Sequence, residues 1–295
     1  MSGAASARRD RRAAAAIGRH ARLELVFGCR RGRTVLTHSY AEPPFKIGRP
    51  VDTGGAASFI VVCAAPGVFP GDALRQTVRV EAGARVALRS QSALQAHPGT
   101  GPAARIEARY EVDPGAELAC VWDPLIPFPE ARIVQRLEIA LTPRSRLFWS
   151  DAMLTGRCAR GEAWAHALVD HELRLSIDGA LHYLERYRVA PHERGVAARW
   201  AAGAASHLGT ILVHDPSPAG VAAEMLQHRL DASEMEDVQA GVDAIGPHLI
   251  VGRLLASRGP AFAAARAAVR ELVEIGRSPT SISQGCGVRL QADPP

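Results

Sequence analysis

The sequence predicts a mostly β protein with stacked, β-helix-like strands and two α-helices toward the C-terminal part. Three observations predict it. Apolar residues alternate with period two from about Arg22 onward. A short turn motif recurs after 32 and then 29 residues. Helical spacing of apolar residues enters only after Ser217.

Taken in order, Leu23, Leu25 and Phe27 share one face of the first strand. Ser58–Ala64 is a short apolar run rich in β-branched residues, which suits a buried strand. The turn motif is first Val80-Glu81-Ala82-Gly83-Ala84-Arg85-Val86, then Val112-Asp113-Pro114-Gly115-Ala116-Glu117-Leu118. Leu141 to Leu147 is a third copy without the glycine, and Ile177-Asp178-Gly179-Ala180-Leu181 reads as a shortened fourth. Such recurrence suits stacked β layers, although Gly-Ala turns also recur in other all-β proteins. The clearest alternation runs from Glu162 to Asp178, long enough that it is expected to bend or break into two strands. Ser217-Pro218 reads as a cap and first helical residue, continued by Val221, Met225 and Gln227–Arg229. A second helix opens at Gly259-Pro260, carries the stripe Phe262, Ala265, Val269, Leu272 and Val273, and stops at Gly276. The expected organisation is an Arg-rich disordered leader over 1–19, one domain over 20–277 and a loose tail over 278–295.

Composition excludes several functions. The chain of 295 residues is 47% hydrophobic, enough for a large core without disulfide or metal staples. Its net charge of +5 is concentrated at one end, because residues 1–33 hold nine arginines and only two acids. Setting those aside from the 35 basic and 30 acidic residues leaves 26 against 28, a body of net charge −2. With aromatics at 5%, this is no nucleic-acid groove. Lys46 is the only lysine and Ile47 follows it, which rules out a P-loop. The five cysteines form no Cys-x-x-Cys, as expected of reduced thiols in a cytoplasmic protein. No apolar run reaches the ~18 residues of a membrane span.

Local motifs carry little chemistry. His171-Glu172 lacks the second histidine of a zinc helix, and His166/His171 and His207/His214 stand at odd spacings on opposite strand faces. His171, alone on an apolar face, reads as a hydrogen-bonded core histidine. Asp170 and Glu172 share a strand face with His166. They are either surface charge or, in the alternative reading, the site of a metal-dependent all-β enzyme.

Several blocks in order resemble the urease accessory protein UreD family. They are Gly32-Arg33-Thr34 with Pro43-Pro44, Pro66 to Gly71-Asp72, Leu88 to Gln91 and Ala93, and Asp123 to Pro127-Phe128. The strongest runs from Asp151 through Gly156-Arg157 to Gly161-Glu162, and Leu181–Arg188 and Leu249–Arg253 also fit. The chain departs from the family pattern at Ala65-Pro66, Leu94–His97 and Trp122. The resemblance implies a non-enzyme that helps load nickel into apo-urease. It implies partners UreF and, through UreF, the GTPase UreG, with the late helices expected to dock a helical partner. It also implies a mostly β fold with two helices and a water-filled tunnel for transient nickel, with no tightly bound cofactor. Matching motif positions gives Asp72, Asp151 and Glu162, with Glu185, as candidate tunnel-lining groups. Asp72 reads equally as a turn residue after Gly71, and Arg157 as the ion-pair partner of Asp151 or Glu162.

Overall fold

The computed structural model describes residues 18–53, 56–193, 203–217, 220, 222–232 and 237–275. The strands are β1 (His20–Arg30), β2 (Arg33–Ala41), β3 (Phe45–Ile47), β4 (Val51–Thr53), β5 (Ala56–Cys63) and β6 (Ala73–Val80). There follow β7 (Arg85–Ser90), β8 (Leu94–Ala96), β9 (Ala104–Val112), β10 (Glu117–Val121), β11 (Leu125–Pro127) and β12 (Arg132–Leu141). The remainder are β13 (Arg146–Leu154), β14 (Leu168–Ile177), β15 (Ala180–Val189), β16 (His207–His214), β17 (Val238–Ala244) and β18 (Leu249–Ala256). Helix α1 (Ala223–Asp231) lies between β16 and β17, and α2 (Gly259–Ile275) follows β18.

The strands form two facing sheets. One is ordered β15-β14-β12-β9-β6-β1-β2, the other β17-β18-β16-β13-β10-β7-β5-β3. Along the chain β6, β9, β12 and β14 join the first sheet, while β7, β10 and β13 join the second. Each rung therefore lays one strand in each sheet, and successive rungs pair in parallel. This is the expected β-solenoid-like stacking, with both helices in the C-terminal half.

The repeated motif is the corner between the sheets. Gly83 and Gly115 adopt φ of 77° and 73°, a turn that β-carbons resist. Corner groups bond to the next rung: Val80 O accepts from Asp113 N at 2.9 Å, and Ala116 O from Arg146 N at 2.9 Å. In the third corner, where the glycine is missing, the buried Ser145 hydroxyl takes over. It donates to Val112 O at 2.7 Å and accepts from Thr142 N at 2.9 Å. Ser145→Ala leaves these groups without partners and should cost about 1–2 kcal/mol, read as a lower denaturant midpoint.

Three sequence expectations are corrected. The fourth copy of the motif is no corner: Asp178 and Gly179, with φ of 54° and 80°, close an antiparallel hairpin between β14 and β15. Asp-Gly with both φ positive is a two-residue hairpin turn, whose twist folds the chain back within one sheet. The alternation from Glu162 is strand only from Leu168, because a 3₁₀ turn at Cys158–Arg160 and positive φ at Gly161 and Trp164 interrupt it. Ser217 is a bend whose N–H donates to Asp215 Oδ1, and α1 begins at Ala223 instead. Pro218, Val221 and Gly276 lie outside the described residues, as do 1–17 and the tail.

The main core fills the space between the sheets and includes the fully buried Leu23, Phe27, Phe59, Leu118, Ile133, Leu147 and Trp149. A second core covers the outside of the larger sheet, where the predicted stripe of Phe262, Ala265, Val269 and Val273 packs on Phe148, Ile211, Ile250 and Leu254. Strand β13 is thus covered on both faces, which buries whatever it points inward. Among the described residues no helix is long and apolar enough to cross a membrane.

Candidate functional site

Between the sheets lies a cavity of about 520 Å³. Its wall is mainly apolar and aromatic, including Tyr110, Trp122, Trp149 and Tyr187, but it carries a polar corner. That corner follows from strand alternation and register. On β13, Phe148 and Ser150 face the helices, and Trp149, Asp151 and Met153 face the cavity. Asp151 is paired with Thr210 of β16, and Thr210 with Arg253 of β18. The three side chains therefore form one row across the larger sheet. From the other sheet, β15 points Glu185 at this row.

The Glu185 carboxylate is 5% exposed and well partnered. Thr210 Oγ1 donates to Oε2 at 2.9 Å, and Arg253 Nη1 donates to Oε1 at 2.5 Å. Arg253 Nη1 also reaches Thr210 Oγ1 at 3.1 Å, and its Nη2 reaches the Tyr183 hydroxyl at 2.6 Å. Asp151 has no such ion pair among these bonds. Burial beneath both layers, followed by the nearby charge of Glu185, pushes its carboxyl up to about 7. It is nevertheless partly open to the cavity, so water there can reach it. Burial raises the Tyr183 and Tyr187 hydroxyls above their ordinary values as well.

His171 also lines the cavity and is a core histidine as expected: Nδ1 lies 3.2 Å from Gln135 Oε1, and the ring stacks on Tyr187 at 4.7 Å. Burial pushes its pKa down, which keeps it neutral.

The four carboxylates drawn from motif positions separate into two groups. Asp151 and Glu185 share the cavity. Asp72 sits outside it, with Oδ1 accepting from Arg19 N at 2.8 Å and Oδ2 from Arg19 Nη2 at 2.6 Å and Phe69 N at 2.9 Å. Burial opposes its ionisation, but these bonds prevail and hold its pKa below the usual value. This is the turn role, with Gly71 supplying φ of 87°. Arg19, placed by the sequence in the leader, is thereby tied to the domain. Glu162 is clamped by Arg157, with Nη2 to Oε1 at 2.8 Å, so the ion pair expected of Arg157 falls to Glu162 and not Asp151. Gly156, at φ of 145°, lets the chain pass where a β-carbon would lie 2.2 Å from Glu162 O. Gln91 lines the cavity, and Pro127 ends β11 beside Ala96.

The alternative constellation is not assembled. Asp170 pairs with Arg136 at 2.8 Å, and Glu172 pairs with Arg174 and Arg186. His166 precedes the strand, buried with neither ring nitrogen hydrogen-bonded among the described residues, and burial holds its pKa down to about 4. The physical reason is the broken alternation: the turn at Trp164 takes His166 off the face of Asp170 and Glu172.

Thr210, Tyr183 and Arg253 were not singled out from the sequence. The signal for Arg253 was a lone charge in the apolar run Leu249–Leu255, which implies a buried partner. The partner is 68 residues away, so no local period reveals it.

The fold and cavity define a mostly β, two-sheet solenoid with an acid-bearing interior. Comparison with known proteins supplies the family. A family model for the UreD urease accessory protein matches residues 19–287, and the chain belongs to that family. It is an accessory protein and not an enzyme. It is 32% identical to urease accessory protein UreD of Anaeromyxobacter sp. over 248 residues, 82% of each chain. It is 34% identical to UreD 2 of Methylorubrum populi over 221 residues, covering 74% of this chain and 72% of that one. It is 30% identical to UreD 2 of Streptomyces griseus over 216 residues, 70% of this chain and 74% of that one.

Proposed function

We propose that this chain passes nickel ions to apo-urease through the cavity between its sheets, in the cytoplasm. In this reading it acts with UreF and, through UreF, with the GTPase UreG, and holds no tightly bound cofactor. One observation carries it: Asp151 and Glu185, from opposite sheets, project into the same interior space. Nickel accepts carboxylate and water as well as imidazole. A conduit has to bind its ion weakly enough to release it. A sparse donor set suits that need, and among the described residues no three His, Cys, Asp or Glu side chains cluster as a metal cage. His171 is neutral and tied to Gln135, which leaves the carboxylates as the groups that attract a cation.

The test is the Asp151→Asn/Glu185→Gln double variant, co-expressed with urease and its accessory proteins. The purified urease should contain several-fold less nickel than with the wild-type chain. Unchanged nickel content, with the variant present at wild-type level, overturns the reading.

A further inference from the structure

We propose that Arg253 is the resident counter-ion of the cavity, holding the place that a divalent cation takes beside Glu185 and Thr210, and that the cation enters by exchanging with it. This rests on the nickel-passage reading above and adds a gating residue to it.

The geometry supports exchange. One guanidinium nitrogen, Nη1, bonds Glu185 Oε1 at 2.5 Å and Thr210 Oγ1 at 3.1 Å, two oxygens a metal ion would also use. The other, Nη2, bonds the Tyr183 hydroxyl at 2.6 Å. Arg253 is anchored at both ends, but the two ends differ in environment. Glu185 is 5% exposed, whereas the Arg253 side chain is 48% exposed. The guanidinium therefore reaches inward from the surface and has solvent to return to, with its stem remaining on the strand. It stands where β15 of one sheet faces β18 of the other, two strands that share no ladder.

Charge gives the exchange a direction. Arginine stays protonated, so it can leave Glu185 only by moving. A single positive charge meets one carboxylate, and Asp151, in register with Thr210 across the row, makes no ion pair among the described residues. A doubly charged ion beside Asp151 and Glu185 competes with the guanidinium for Glu185. A singly charged ion has less to offer and is excluded. Once the divalent ion moves on, the return of Arg253 repels any successor and resets the site. The residue thus positions Glu185 and sets selectivity for charge, while the carboxylates make the contacts.

The test titrates Ni²⁺ alone into the purified full-length chain and measures nickel in co-expressed urease. Arg253→Gln should bind Ni²⁺ about tenfold more tightly than wild type, because the competitor is gone. Urease loaded with that variant should contain less nickel, because the ion is retained. Arg253→Lys restores the charge and should bring both readings back toward wild type, which a purely structural role does not require. Tyr183→Phe keeps the charge but removes a bond that holds the guanidinium in its resident place beside Glu185, so Arg253 is displaced more easily and Ni²⁺ binding should tighten several-fold. That variant decides the matter if Arg253→Gln does not fold. Unchanged or weaker Ni²⁺ binding in Arg253→Gln, or in Tyr183→Phe, overturns the exchange. If these variants behave as expected while Asp151→Asn/Glu185→Gln leaves urease nickel unchanged, the passage reading fails and the exchange site stands. If the double variant lowers urease nickel but Arg253→Gln binds no more tightly, the exchange alone fails.

Discussion

Asp151→Asn should raise the melting temperature by about 4–8 °C at pH 8 while emptying the cavity of one carboxylate. The sign follows from proton linkage. The native carboxyl titrates near 7, against 3.8 for the same group unperturbed. Between these values the native state keeps a proton that the unfolded chain has released. Stability therefore falls as pH rises through this window and levels off above about 7. Below about pH 4 both states are protonated and the penalty is absent. A shift of about three units corresponds to ~4 kcal/mol at most. Because Asp151 partly faces the cavity, where water can solvate it, about 2 kcal/mol is a fitting magnitude. At about 2–4 °C per kcal/mol for a domain of this size, that gives the stated rise. Asparagine has the same shape and no charge, so the gain should shrink by more than half at pH 5. Thermal melts of both proteins at pH 5 and pH 8 check it, and a gain independent of pH, or a loss at pH 8, contradicts it. The cell would then be keeping a destabilising carboxylate because its charge is useful, the usual trade between stability and function.

Trp149→Ala should be the most damaging single core change, at about 3–5 kcal/mol. Trp149 is fully buried at the centre of an aromatic cluster, 5.0 Å from Tyr110 and 6.2 Å from Trp122 between ring centres. It sits on β13, which is covered by both cores, so no neighbouring loop is available to collapse into the space. Truncation also enlarges the cavity next to Asp151. Denaturant unfolding measures the cost, and a loss below about 1 kcal/mol would show that the site relaxes. Trp149→Phe supplies the contrast. The indole Nε1 is buried and makes no hydrogen bond among the described residues, so removing it loses volume but no bond. Its cost should be well under half that of alanine.

The parts of the fold legible in the sequence are those governed by local rules. Leu23, Leu25 and Phe27 alternate inward because β1 is covered on one face only by the opposing sheet. The corners at Gly83 and Gly115 repeat because each must make the same bend. The stripe from Phe262 to Val273 is written at helical spacing because α2 lies on a flat sheet. Where similar words serve two geometries, sequence reading fails. Ile177-Asp178-Gly179 shares residues with the corners, yet its two positive φ angles make a hairpin. The alternation at Ala163, Ala165 and Ala167 continues that of β14 without belonging to it. Of the cavity, Asp151 and Glu185 came from family resemblance. Their meeting depends on β13 and β15 facing one another, which no spacing encodes. Thr210 and Arg253 join them through cross-strand register, equally silent in a single chain.

The hairpin at Asp178-Gly179 has one more effect, on how the molecule meets others of its kind. It makes β15 the outermost strand of its sheet among the described residues, the position from which backbone amides and carbonyls can recruit a foreign strand. A charged side chain directed inward from such a rim discourages that recruitment, since an incoming strand would have to accommodate it in a dry seam. Glu185 is that side chain, flanked by Arg186 and Arg188 on the outer face. On this principle the carboxylate that faces the interior also disfavours the docking of a foreign strand at that border.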